Sequence, residues 1–129
     1  MSNEIQVTIQ LSCAKGEFYQ PALGTPQSVD QNGLGGGNPG FINVGASEED
    51  VSLGDLTTPG YCYIKNLGPL TGTAQPVITF GPKSGGAMVG FCSLKTGEEA
   101  CFRLTDTTPT LRIVSDIANT GVQIVILED

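Results

Sequence analysis

The chain predicts an all-β fold: a two-sheet antiparallel sandwich, jelly-roll-like, with about eight strands. Three observations carry this. Short apolar or alternating runs recur roughly every ten residues, with turn chemistry between them. No stretch shows the 3.6-residue period of an amphipathic helix, which removes βαβ architectures. Charge is scarce, at 15% of residues against roughly 25% in an average soluble domain, and glycine takes its place with 18 residues. Hydrophobic residues reach 39%, whereas a disordered chain combines low hydrophobicity with high charge. A length of 129 residues is enough for one domain with its own core, so a single sandwich over 1–129 is expected. An immunoglobulin order or a small barrel is the other choice for such a strand pattern. The chain has no tryptophan and so lacks the Cys…Trp…Cys spacing of true immunoglobulin domains.

In chain order, Ile5, Val7, Ile9, Leu11 and Cys13 alternate with Gln6, Thr8, Gln10 and Ser12, the pattern of a strand with one buried face. Lys15-Gly16 ends it. Residues 18–19 and 25–31 are the next extended pieces, and Pro21 and Pro26 confine them to an edge. Residues 32–40, NGLGGGNPG, are expected to form a flexible loop. A phosphate cradle would need a helix and a lysine after such glycines; the short strand FINVG (41–45) follows instead. Residues 47–50, SEED, have the Ser-x-x-acid form of a helix start, but they lead only to Val-Ser-Leu-Gly, leaving room for one turn at most. Glu48, Glu49, Asp50 and Asp55 crowd together without the spacing of a calcium loop, so a solvated acidic loop is expected.

The turn TTPG (57–60) opens onto a strand at 61–67, YCYIKNL. Strands at 77–80 and 89–94 follow, joined by the hairpin-like GPKSGG. A tight turn at 96–98 then leads into a C-terminal arm with strands at 100–104, 111–114 and 122–127.

Chemistry is mostly excluded. The net charge is −7, and the six basic residues, Lys15, Lys65, Lys83, Lys95, Arg103 and Arg112, are scattered. Nucleic-acid binding, which depends on neutralising several phosphates together, is not expected. Nor is a membrane partner, since no apolar run approaches the length of a span. The N-terminus begins as a strand instead of a signal peptide, which points to synthesis in the cytoplasm. Cys13, Cys62, Cys92 and Cys101 each sit in a strand-like run without close pairing, and are expected as buried free thiols, not as a zinc site. There is no histidine, so Ser-His and Cys-His nucleophile pairs are impossible. Glu98 and Glu99 are adjacent and would point to opposite faces of a strand. No enzyme activity, metal or cofactor is expected.

The last strand is apolar on both faces. Val122, Ile124 and Ile126 form one face, and Val125 and Leu127 on the other need cover. In the preceding strand Leu111 and Ile113 share a face and Val114 takes the opposite one. Val125, Leu127 and Val114 are therefore candidate interface residues. Tyr61 and Tyr63 share one strand face and are the candidate ligand platform.

Three segments carry a resemblance: SLGDLTTPGYCYIKNLG (52–68), FCSLKTGEEACFRL (91–104) and LRIVSDIANTGVQIVILED (111–129). They resemble small all-β virion proteins encoded beside capsid and tail genes of tailed bacteriophages. The first 50 residues share only an alternating first strand. The resemblance implies a structural virion protein, a capsid decoration or cement protein or a minor tail component. It also implies a homo-oligomer such as a trimer, contact with the major capsid protein or a tail component, no cofactor, and a place in the virion. The alternative is a carbohydrate- or receptor-binding sandwich module of a phage tail or fibre.

Overall fold

The computed structural model describes residues 5–24, 27–29, 37–53, 56–105 and 110–128. The expected span of 1–129 divides into two compact units, Met1–Gly35 and Gly36–Asp129.

In the first unit, β1 (Ile5–Val7) pairs antiparallel with β4 (Gln27–Val29), and β2 (Leu11–Lys15) with β3 (Phe18–Leu23). The long alternating strand expected over 5–13 is thus two strands. Ile5 and Val7 are buried, but Ile9 and Leu11 are 53% and 68% exposed. Period-two alternation distinguishes two strand faces. It does not supply the second layer that would cover one of them, and among the described residues of this unit β2 has a hairpin partner but no sheet over Leu11.

The second unit is the sandwich. Its strands are β5 (Gly37–Val44), β6 (Glu49–Asp50), β7 (Pro59–Pro69), β8 (Val77–Ser84), β9 (Ala87–Met88), β10 (Cys92–Lys95), β11 (Glu99–Arg103), β12 (Leu111–Ser115) and β13 (Thr120–Glu128). One sheet has the order β11-β7-β13-β5 and the other β10-β8-β12-β6, with β9 a hairpin appendage of β8. All pairings are antiparallel. The chain passes from β5 to β6, β7 to β8, β10 to β11 and β12 to β13, changing sheet each time. This is the double Greek-key winding of a jelly roll.

The expected count of about eight is met by the sandwich alone, from residue 37 onward, whereas the strands expected at 5–13, 18–19 and 25–31 belong to the first unit and not to the sandwich. The difference lies at two places. Residues 32–36 of the glycine-rich segment fall outside the described residues, and residues 37–40 run as the start of β5 and not as loop. The acidic 47–50 segment forms no helical turn. Glu49 and Asp50 pair with Ile113 and Arg112 of β12, and Val51 N–H continues the ladder by donating to Leu111 O at 2.8 Å. Arg112 Nε and Nη1 hold Asp50 Oδ1 at 2.7 Å and Glu48 Oε2 at 3.0 Å, which offsets the charge on either side of Glu49, while Val51 drops into the core; Glu49 Oε1 is buried without a hydrogen-bond partner among the described residues.

The core lies between the sheets. Val122, Ile124 and Ile126 of β13 and Cys62 and Ile64 of β7 face Ile78 and Phe80 of β8 and Leu111 and Ile113 of β12. Phe80 stacks on Phe102 of β11 across the gap, with ring centroids 5.8 Å apart. Two polar groups lie among these apolar chains with their hydrogen bonds met. Asn66 of β7 donates through Nδ2 to Pro76 O at 3.0 Å and Leu94 O at 2.9 Å, and its Oδ1 accepts from Gly68 N–H at 2.9 Å. Ser115 and Thr120 bond each other at 2.7 Å and close the turn between β12 and β13 through Ile117. Asn119 occupies the left-handed region in that turn, at φ 61°, a conformation asparagine tolerates better than most residues. The connection leading into β7 is also tied to the end of β13, where Glu128 Oε1 accepts from Thr57 Oγ1 at 2.9 Å and Thr58 Oγ1 at 3.0 Å.

Candidate interaction surface

Alternation along β7 and β13 sends every second side chain away from the core. Val125 is opposite Tyr63 in register, and Leu127 falls at the irregularity between Ile126 and Glu128, beside the start of β7. The candidate interface residues Val125 and Leu127 and the candidate platform residues Tyr61 and Tyr63 therefore form one contiguous half-buried patch on the outer face of the β11-β7-β13-β5 sheet. Val114 does not join them. It lies on β12, opposite Thr79 of β8, on the outer face of the other sheet. A strand's two faces are legible locally, but which sheet it joins is not.

The patch continues at both sides. On β11, Cys101 is opposite Tyr63 and Arg103 opposite Tyr61. The Arg103 guanidinium sits over the Tyr61 ring, 5.6 Å from its centroid, and the Tyr63 hydroxyl donates to the Glu99 carboxylate. That bond, with a carboxylate charge next to it, raises the Tyr63 phenol above its ordinary value. On the other side Phe41 of β5, 56% exposed, and the exposed Leu70 lie over Gly121; a methyl there would sit 3.1 Å from each. The bare Gly121 lets two apolar side chains lie down on the sheet. The composite face is aromatic and aliphatic along Tyr61, Tyr63, Val125 and Leu127; Lys65 and the exposed Gln123 lie in one row with Phe41, and Glu99 and Arg103 lie on the edge strand β11. Partner-binding patches commonly gather aromatic and apolar side chains in this way.

A second feature lies at one end of the sandwich, where an apolar cavity of about 290 Å³ is lined by Phe80, Phe91, Phe102, Leu104 and Leu111, with Arg103 at its rim. Phe91 is 84% exposed. The expected strand at 89–94 begins only at Cys92, because residues 89–91 cross over Gly81. Val89 N–H donates to Pro82 O at 2.8 Å and Phe91 N–H to Phe80 O at 3.0 Å. A methyl on Gly81 would come within 2.0 Å of Val89 O, so the crossing requires glycine.

The thiols are not alike, contrary to the expectation of four buried ones. Cys62 is buried, Cys92 intermediate and Cys101 exposed, since β11 turns Ala100 and Phe102 inward and Cys101 outward; the Cys13 side chain lies outside the described residues. Burial first, and the neighbouring Cys101 second, push the Cys62 thiol up to about 12. Burial also raises Cys92 and Cys101. A thiolate nucleophile needs the opposite shift. In the acidic segment the Glu48 and Asp50 carboxylates are engaged by Arg112, which lowers Asp50 below its ordinary value. No group of three or more metal-ligating side chains occurs among the described residues.

No protein-family model matches the chain, and no curated protein matches it. Among solved structures it is similar to a chain from Bacillus endospore appendages, described as a novel family of disulfide-linked pili. The TM-score is 0.42 at 20% identity, covering 80% of this chain and 96% of that one.

Proposed function

We propose that this protein is a structural subunit that works by packing against other proteins, as a capsid decoration protein of a tailed-bacteriophage virion. The observation that carries the packing role is the outer face of the β11-β7-β13-β5 sheet. There Tyr61, Tyr63, Val125 and Leu127 lie together half-buried, with Phe41 exposed beside them. A jelly-roll strand needs one apolar face for its own core, and β13 has two. The virion is the setting implied by the sequence resemblance at 52–68, 91–104 and 111–129, and the shape of the role agrees with it. A cement protein acts through many modest contacts and requires no reaction centre.

The test is the size of the full chain by light scattering, with two adjacent substitutions. Val125→Lys places a charge on the outer patch and should lower the assembled mass while leaving the fold intact. Ile124→Lys places the same charge in the core and should prevent folding. A monodisperse wild-type monomer, together with phage particles that lack the protein, would overturn the proposal.

Tyr61 and Tyr63 also support a second reading, a glycan- or receptor-binding module, because both rings are partly open on one face and held by Arg103 and Glu99. Binding on a glycan array that is lost in Tyr61→Ala and Tyr63→Ala would favour it. No binding by the wild type removes it.

A further inference from the structure

We infer that the apolar cavity at one end of the sandwich is a binding site for a flat, uncharged, bicyclic aromatic molecule. The inference does not depend on the packing role, which rests on the outer face of one sheet.

The cavity, of about 290 Å³, is walled by Phe80, Phe102, Leu104 and Leu111. Phe91 lines it as well and is 84% exposed, so the cavity reaches the surface at this ring. Protein interiors keep few voids larger than a water molecule, so a space of this size needs an occupant. Water is poorly suited, because it requires several polar partners and the backbone groups around the walls are already engaged. Phe80 O accepts from Phe91 N–H at 3.0 Å, and Pro82 O from Val89 N–H at 2.8 Å. Leu104 N–H donates to Gly60 O at 2.9 Å, and Leu111 O accepts from Val51 N–H at 2.8 Å. Among the lining residues Arg103 alone carries a charge, and its guanidinium lies over the Tyr61 ring, 5.6 Å from the centroid. The walls therefore offer carbon and call for no polar or charged head group.

Size and shape narrow the ligand further. An apolar cavity of about 150 Å³ lined by Leu, Ile and Phe stays dry and takes up benzene. One of about 290 Å³ has room for a second fused ring. Phe80 and Phe102 stack with 5.8 Å between centroids and 16° between planes, so the wall presents two rings in nearly one orientation. A planar ligand gains from them the offset or edge contacts that aromatic rings prefer. An aliphatic chain of the same size gains the burial alone. Phe91 is held at the opening by the crossing of residues 89–91 over Gly81, where its ring can close over a bound molecule. An occupant also restores to Phe80, Phe102, Leu104 and Leu111 the dispersion contacts that an empty space withholds from them.

The experiment titrates the full chain with naphthalene and follows the backbone amides by NMR. Saturable shifts should map to Phe80, Phe91, Phe102 and Leu104. The Tm should rise with naphthalene concentration, because a ligand bound only by the folded state stabilises it. Naphthoate, the same ring system with a carboxylate, should bind about tenfold more weakly or worse, since the cavity would have to take in an unpaired charge. Leu104→Phe fills part of the cavity from a buried position and should weaken naphthalene binding by about tenfold or more. Phe91→Ala removes a mostly exposed ring and leaves the core in place; it should weaken binding severalfold through the lost ring contact. Circular dichroism shows whether each variant is folded, and if Leu104→Phe does not fold, Phe91→Ala decides alone. Four results would overturn the inference: no saturable shifts up to the solubility limit of naphthalene, shifts that map away from the cavity, naphthoate binding as well as naphthalene, or a folded variant binding like the wild type. The packing proposal is read separately, from the assembled mass.

Discussion

Asn66→Ala should be the most damaging small substitution in the sandwich that removes no apolar contact. The Asn66 amide serves three backbone groups at once: Pro76 O, Leu94 O and Gly68 N–H, at 2.9 to 3.0 Å. The side chain is fully buried. Alanine leaves Leu94 O and Gly68 N–H without this partner, while Pro76 O keeps a long contact from Thr96 Oγ1 at 3.5 Å. Each orphaned buried group costs about 1–3 kcal/mol, so the sum is roughly 3–5 kcal/mol. For a chain of this length that corresponds to a fall in Tm of roughly 10–20 °C. Asn66→Asp keeps the acceptor for Gly68 but turns a carboxylate oxygen toward two carbonyls. Its folded-state pKa is then raised, so the folded state binds the proton more tightly and the deficit shrinks as pH falls. Thermal melts and urea unfolding of both variants, at pH 7 and at pH 4.5, measure this. A loss below about 1 kcal/mol for Asn66→Ala, or an Asn66→Asp deficit that does not shrink at low pH, would refute the assigned bonding.

Two further outcomes follow from single positions. Gly81→Ala should displace residues 89–91, because the added methyl meets Val89 O at 2.0 Å. We expect a loss of roughly 2 kcal/mol or more and altered solvent exposure of Phe91 by NMR; a neutral variant would show that the crossing does not depend on glycine. Hydrogen bonds from Thr57 first, and then Thr58, hold Glu128 below its ordinary value. The stabilisation it contributes is therefore complete above the unfolded glutamate value and lost as pH falls through the lower folded one. The Thr58 amide should titrate with a midpoint below about 4.3, the free glutamate value. A midpoint at or above that value would mean the clamp is absent in solution.

Much of the sandwich is legible in the chain because its strands alternate cleanly. Residues 122–127 show which side chains enter the core, and Ile124 and Val125 divide as the alternation requires. The interior polar anchor is not legible. Asn66 sits at an inward position of an otherwise aromatic and aliphatic strand, and only the approach of Pro76 and Leu94 from the other sheet explains it. Strand β6 is hidden for the converse reason. Its acidic residues have the look of a loop until Arg112, some sixty residues later, engages Asp50 and the flanking Glu48.

The sequence by itself determined the fold class, the strand faces and the lack of histidine chemistry, because each depends on neighbours along the chain. Only the tertiary structure decided that all eight jelly-roll strands lie beyond residue 36, and that Tyr61, Tyr63, Val125 and Leu127 share one face while Val114 lies on the other sheet. It also decided that β11 ends a sheet with its charges outward. These depend on which strands pair across long loops. Pairing is selected by burial and hydrogen bonding between distant segments, and local alternation carries no record of it.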